Sequence, residues 1–451
     1  CLKYFYAILR YPYRMNQRKV FDTQILKLRA CFQDLPDHRR GNNTQYEIED
    51  AASAAFSVFF SQSPSFLAHQ RLLEKKKGKS NLQSLFAIKK IPSDNQIRNL
   101  LDPLSPELLA PLFFDTIETL EAEGEMESYR GYDDRILISN DGTETVSSQK
   151  IDCPECSHRS LQNGHTHHFH SAILPVIVKS GEKRVLPLAP EFITPQPEYD
   201  KQDSERAAMK RWIEKHQDFL KKGRYTMLGD DLYANQPMCK AFIDAGLGFI
   251  LVCKPDSHIE LYKTVNFLAG NHLVEELEER HWNGRYHEIH RYRFVNEVPL
   301  RSEDPLMVNW LEITILNEST GERVYFNSFI TMYEVTAGNV VELAEEGRTR
   351  WKSENETNNT LKNQGYNLEH NFGHGKEHLA NFLTSLNLLA FLLHTTLAFL
   401  DEEYQALRRE LVVRKEFFND IRALLRYMVF ESWIDLLLFM LRALEVPQYM
   451  S

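Results

Sequence analysis

The sequence predicts an α/β protein with a mixed-sheet core, a helical N-terminal region, a β-rich insertion and a helical C-terminal region. Three observations predict it. Apolar residues recur at helical spacing from residue 17 to about 128. At Arg135 the pattern changes to short apolar runs separated by turn residues. Between 256 and 335 turn-bounded β patterning takes over before helical spacing returns. A chain of 451 residues is long for one compact unit, so the predicted segments are 1–130, 131–255, 256–335, 336–400 and 401–451.

In the first region, FDTQILKLRACFQDL and IEDAASAAFSVFFSQSPSFLAHQRLLEKK carry helical periodicity. PSDNQIRNLL opens with Pro92 and then Ser93 or Asp94 as N-cap, and SPELLAPLFFDTIETLEAE opens with Ser105 and Pro106. Residues 116–128 read as an acidic linker. RILISND is a short buried strand ending in Asp141, and FHSAILPVIV with KRVLPLAPEFI reads as a hairpin around KSGEK. The helix SERAAMKRWIEKHQDFLKK follows, then the strand TMLGDD, the helix NQPMCKAFIDAG closed by Gly246, and the strand GFILVCKP. That order, β-β-β-α-β-α-β, is the one an RNase H-like core requires. Asn283-Gly284 then predicts a two-residue hairpin turn, and WLEITILNESTGERVYFNSFI a second hairpin. Helices return with NVVELAEEGRTRWKSENETNNTLKNQG and EEYQALRRELVVRKEFFNDIRALLRYMVF. No internal repeat is present.

Hydrophobic residues at 43% and charged residues at 26% are the balance of a soluble globular protein. The apolar run Ala380–Leu400 approaches membrane-span length, but Asn381, Thr384, Ser385, Asn387 and His394 interrupt it, so a buried core helix is expected and no membrane partner. Glu431 and Asp435 argue the same for YMVFESWIDLLLFML. Six cysteines do not make a disulfide scaffold, and a reducing cytoplasm fits them. No signal peptide is expected, because no small-residue cleavage site follows the basic, aromatic first residues, and Met15 reads as a more natural start than Cys1. The net charge of −10 hides two basic segments: residues 1–30 hold seven Lys or Arg against Asp22, and residues 71–90 hold seven against Glu74. By themselves these are two solvated basic faces.

Asp141 closes one apolar strand, Asp230 and Asp231 close another, and Glu354 lies on a predicted helix in RTRWKSENETNNTLK. Acids at the ends of neighbouring strands point into one crevice, and a helix across the sheet edge adds a third. Crowded carboxylates repel unless a cation joins them. Mg²⁺ takes oxygen ligands, and two such ions about 4 Å apart would serve phosphodiester displacement. Each acid alone equally fits a turn or a helix N-cap.

SNDGT, LGDDLY and RTRWKSENE together resemble the bacterial insertion-sequence transposases of the IS-four-like superfamily. Their signature around the Glu is Y-x2-R-x3-E-x6-K. Arg350 and Glu354 match R-x3-E with Trp351 at the aromatic place, and Asp230 to Tyr233 fits the D-x-x-Y of the second acid. Two positions depart: Gly347 stands at the Tyr, and Lys362 falls one residue late, with Leu361 at the consensus spacing. On a helix one residue is about 100° of rotation, so either a local bulge restores Lys362 or the acid is Glu356. The resemblance implies a DDE enzyme that cleaves element ends and joins the 3′-hydroxyl to target DNA. Asp141, Asp230 and Glu354 would hold two Mg²⁺ or Mn²⁺ ions, and Arg350 and Lys362 would grip phosphates. It implies double-stranded DNA as partner, recognition of the ends by the N-terminal helices, and a homodimer in the DNA complex. It also makes Trp282 or Trp310 a stacking residue for a flipped base. The alternatives are an RNase H-fold nuclease that joins nothing and a domesticated DNA-binding protein without catalysis.

CPECSHRSLQNGHTHHFH offers a C-x2-C pair, Cys153 and Cys156, with His165 and His170 as partners for a structural Zn²⁺. The competing reading is a polar loop turned at Pro154, with His170 near the acids. His370 and His374 read as loop residues, because Gly373 and Gly375 break any helix there. Cys1, Cys31, Cys239 and Cys253 read as isolated thiols.

Overall fold

The computed structural model describes residues 20–40, 44–73, 80–162, 164–195 and 203–450. Met15 and the lysines at 75–77 and 79 lie outside them. Thirteen strands are described: β1 (Ile136–Ser139), β2 (Gly142–Ser148), β3 (Ser157–Ser160), β4 (Thr166–Ile173), β5 (Val176–Val178), β6 (Leu186–Pro187), β7 (Glu191–Ile193), β8 (Tyr225–Gly229), β9 (Gly248–Val252), β10 (Glu275–Trp282), β11 (His287–Pro299), β12 (Met307–Asn317) and β13 (Arg323–Thr331).

Nine of them form one mixed sheet in the order β10-β11-β12-β13-β9-β8-β1-β5-β6. β1, β8 and β9 run parallel, and every residue of these three strands is buried. Strands covered on both faces read as unbroken apolar runs, as ILIS and GFILV do. β5 pairs antiparallel to β1, and β6 to β5.

The expected hairpin between FHSAILPVIV and KRVLPLAPEFI is divided between two sheets. Pro175 separates β4 from β5, and β4 pairs instead with β2, β3 and β7 in a smaller antiparallel sheet. Proline lacks the donor a continuous ladder needs, so the chain changes sheets there. Asp141 marks the matching change between β1 and β2, and its carbonyl accepts the amide of Leu174 at 3.0 Å.

Residues 259–331 comprise the helix Ile259–Gly270 and the meander β10–β13. β13 pairs antiparallel with β9, so these strands extend the core sheet. The first hairpin turns at Gly284-Arg285, one residue later than expected. Gly284 takes φ +95°, and Asn283 Oδ1 accepts the amides of Arg285 and Tyr286 at 2.9 and 3.0 Å.

Helices of the N-terminal and C-terminal regions gather around Leu379–Leu400. That helix alone among those described is long and apolar enough to cross a membrane, and 94% of its most apolar window is buried inside the protein. Two of its polar side chains are tied to Tyr366: Asn387 Nδ2 donates to the Tyr366 carbonyl at 2.9 Å, and Tyr366 Oη meets His394 Nδ1 at 2.6 Å. N- and C-terminal helices pack together there. Asn81 Nδ2 donates to the carbonyls of Leu425 and Met428 at 3.1 and 2.8 Å, and Phe21 stacks on Trp433 with ring centroids 4.8 Å apart. Residues 116–128 are no linker: Thr116, Ile117, Leu120 and Met126 are buried on a helix and a 3₁₀ turn. The long C-terminal helix is interrupted at 411–413 into Glu402–Glu410 and Arg414–Tyr427.

Candidate active site

Parallel pairing of β1 and β8 sets Ser139 opposite Leu228. Two residues beyond that pair, the chains reach Asp141 and Asp230, so the two acids leave adjacent strands at one level. Asp230 Oδ1 accepts the amide of Leu232 at 3.0 Å, while Asp231 is turned to the other side, where its Oδ1 takes the amide of Lys254 at 2.6 Å and meets His258 Nε2 at 3.2 Å. Asp231 is thus committed to the loop after β9.

The helix Val340–Arg348 leads into the segment carrying Glu354, and two hydrogen bonds fasten that segment to β1. Ser139 Oγ donates to the carbonyl of Arg350 at 3.2 Å, and Asn358 Nδ2 donates to Asp141 Oδ2 at 2.9 Å. Burial pushes the Asp141 carboxyl up to about 6, Glu354 is the strongest neighbouring charge raising it, and Arg350 opposes the rise. Glu205 and Asp230 raise it further. Four carboxylates therefore share one electrostatic neighbourhood. Arg350 Nη1 holds Glu354 Oε1 at 2.7 Å.

Ser353–Asn358 is a π-helix, in which the amide of Asn359 bonds the Glu354 carbonyl five residues back. A π turn takes up one residue more than an α turn. Lys362, eight residues after Glu354, consequently stands where a seventh residue would stand on an unbroken α-helix. Leu361, at the consensus spacing, is fully buried, and Lys362 Nζ reaches Glu369 at 2.7 Å. The other departure also has a local reason. A Cβ on Gly347 would lie 2.8 Å from the Phe329 ring and 3.0 Å from Ile250, so the helix packs on β13 and β9 too closely for a tyrosine.

Glu205 is a site residue the sequence reading missed. It opens the helix Glu205–Lys215, capped by Ser204, and its carboxylate occupies the space a side chain at Gly142 would need. Burial and Asp230 raise its pKa. The buried Tyr233 hydroxyl faces Glu205, and burial together with Glu205, Asp230 and Asp141 pushes its pKa up. An acidic first-turn residue after a serine cap was the only signal of Glu205, and it is shared with many surface helices.

Trp310 is fully buried, donating to Tyr262 Oη at 3.3 Å, which removes it as a stacking residue; Trp282 is 59% exposed. Arg29, one of the N-terminal basic residues, is buried in an ion pair with Glu49, and Lys27 Nζ donates to Thr119 Oγ1 at 2.8 Å. These two are structural contacts, not part of a solvated basic face.

Cys153 and Cys156 meet His170 and His374, with all four ligand atoms within 4.8 Å of one another. The cluster could hold a metal ion. His374, expected to be a plain loop residue, is a member, whereas His165 lies exposed at the tip of the β3–β4 hairpin. Hydrogen bonding from Cys156, and then His170, holds the Cys153 thiol well below its ordinary range, to about 4. No family model and no curated protein matches this chain.

Proposed function

We propose that this protein is a DDE-type transposase that cleaves DNA at element ends and joins the freed 3′-hydroxyl to target DNA on an RNase H-like core. The observation that carries this reading is the level placement of Asp141 and Asp230 on neighbouring parallel strands, with Glu354 docked beside them on a helix bonded to β1. The sub-order β6-β5-β1-β8-β9, three antiparallel strands followed by two parallel to the first, supports the RNase H-like assignment.

The acids fit a divalent cation. Burial and then mutual repulsion raise Asp141 and Glu205, and Arg350 only partly offsets the rise at Asp141. Asp141, Asp230 and Glu354 would hold Mg²⁺ or Mn²⁺, which activates an attacking oxygen and stabilises a leaving one in phosphodiester displacement. Arg350 borders the acids, and it and Lys362 would steady phosphate oxygens without touching bases. In the DNA-free form Arg350 neutralises Glu354, and a phosphate competes for that guanidinium. Cleavage and joining are both in-line displacements at phosphorus, so one pocket serves both once the DNA strand is exchanged.

Double-stranded DNA is the proposed partner, bound as a homodimer. End recognition falls to residues 71–90, of which Lys89 and Lys90 are exposed and the remaining basic side chains lie outside the described residues. The test is a gel assay on the DNA ends flanking the gene, with and without Mg²⁺. Metal-dependent nicking at the ends followed by joined products is the expected result. Cleavage that never yields joined products would move the assignment to a plain nuclease, and binding without cleavage would leave a DNA-binding protein.

A further inference from the structure

The four residues of the cysteine–histidine cluster come from three separated places. Cys153 and Cys156 form a knuckle before β3, where the amide of Cys156 bonds the Cys153 carbonyl at 3.0 Å. His170 sits on β4, opposite Val146 of the strand that begins directly after Asp141. His374 lies in the loop that follows the Glu354 helix.

Three of their six separations are close to a tetrahedron's edges, and all six are within 4.8 Å. With Zn–S about 2.3 Å and Zn–N about 2.0–2.1 Å, a tetrahedral site needs about 3.8 Å between sulfurs and about 3.6 Å between sulfur and nitrogen. The two sulfurs are 3.7 Å apart, Cys153 Sγ lies 3.3 Å from His170 Nε2, and Cys156 Sγ lies 3.3 Å from His374 Nε2. The sulfur separation is far beyond a disulfide bond.

The surroundings orient the ligands. Asn381 Nδ2 donates to Glu155 Oε2 at 2.7 Å, a contact only the amide nitrogen can make with a carboxylate. That leaves Asn381 Oδ1 facing His170 Nδ1 at 2.9 Å, so Nδ1 carries the proton and the lone pair of Nε2 points into the cluster. The His374 loop is shaped independently. Gly375 has φ +74° and lies tight against Asp102, whose carboxylate accepts the amides of Lys376, Glu377 and Leu379 at 2.9, 3.1 and 3.2 Å.

We propose that Cys153, Cys156, His170 and His374 bind a structural Zn²⁺ that staples the β2–β4 sheet to the loop after the Glu354 helix. Two thiolates and two imidazoles select zinc over the oxygen-preferring ions suited to the acid site, and four protein ligands leave no open position for chemistry. Binding releases the remaining thiol protons to solvent. The staple closes a chain of contacts from β2, which begins directly after Asp141, to the segment after Glu354, and it stands whether or not the protein joins DNA.

The test is metal analysis of the full-length protein purified from zinc-supplemented cells. About one zinc per chain is expected, released in step with titration of the Cys153 and Cys156 thiols. His374→Ala should lose the ion, while His374→Cys, which restores a thiolate ligand and controls for misfolding, should keep it. Asn381→Leu should weaken binding about 10–100-fold, and His165→Ala should change nothing. Cobalt substitution should give the visible spectrum of a tetrahedral site with two thiolate ligands. Less than about a tenth of an equivalent of zinc, with both thiols freely reactive in folded protein, would overturn the proposal. So would loss of zinc in His165→Ala with retention in His374→Ala.

Discussion

Asn358 Nδ2 donates to Asp141 Oδ2 across 2.9 Å, tying the first strand-end acid to the helix that carries Glu354. Asparagine at 141 would keep this shape while removing the charge that holds a cation. Asp141→Asn should therefore lower cleavage and joining on the order of 10⁴-fold while leaving DNA-end binding within about twofold. Gel-shift and nicking assays on the same preparation check both arms, and a wild-type cleavage rate would remove Asp141 from the site.

The raised pKa of Asp141 has a stability consequence with a definite sign. Its carboxyl is pushed to about 6 in the folded protein, above the unfolded value of about 3.9. The protonated form is favoured by folding, so its contribution is fully present below about pH 4 and is lost as pH rises through about 6. At neutral pH and without divalent ions the ionised group costs about 2–3 kcal/mol. Asp141→Asn should accordingly melt above wild type at pH 7.5 in EDTA, with the gap closing near pH 4. Mg²⁺ should raise the melting temperature of wild type and leave the variant almost unmoved.

The π-turn distinguishes Glu354 from Glu356 and gives Lys362 its place. Glu354→Gln should reduce cleavage on the order of 10³-fold or more, and Glu356→Gln by less than about threefold. Lys362→Ala should weaken DNA binding alike for every sequence and lower the salt slope by about one. Deleting Asn355 should allow an ordinary α-helix that puts Lys362 seven residues after Glu354 and so leaves its direction and the salt slope close to wild type. A deletion variant that shows the lysine defect would mean that the bulge does not compensate for the extra residue.

Gly347 permits the close approach of its helix to the sheet. Alanine there would gain about 1 kcal/mol of helix propensity, but its Cβ meets Phe329 and Ile250 at 2.8–3.0 Å. Gly347→Ala should destabilise by about 1–2 kcal/mol net and Gly347→Tyr by about 3 kcal/mol or more, read from urea midpoints. Stability equal to wild type in the tyrosine variant would mean that the helix can move off the sheet.

What was legible in the sequence was mostly local. Ser93 caps the helix that follows it, and the apolar strands before Asp141 and Asp230 end where the acids begin. What was not legible depends on pairings far apart in the chain. His374 joins residues more than two hundred positions earlier, and the glycines flanking it, which argued against a helix, are what let its loop fold tightly onto Asp102 and Leu379. Arg29 looked like part of a basic face because its buried partner Glu49 lies in the next helix. Glu205 became a site residue only through the packing of its helix over Gly142. The division of the β4–β5 segment at Pro175 follows from a known preference, but which sheet each half joins is decided by β1 and β2.

The packing of Asn81 against the Leu425 and Met428 carbonyls, and of Phe21 against Trp433, also governs how the molecule is made. A ribosome delivers Phe21 and Asn81 hundreds of residues before their partners. Until the last helices emerge, the apolar faces of the first ones stay uncovered, and contacts of such long sequence separation form slowly. Nascent chains should be open to proteases and chaperones through most of synthesis and become resistant only once Leu425, Met428 and Trp433 have emerged. A frameshift or early stop near residue 410 would then yield an aggregation-prone product even though every acid of the site has already been translated.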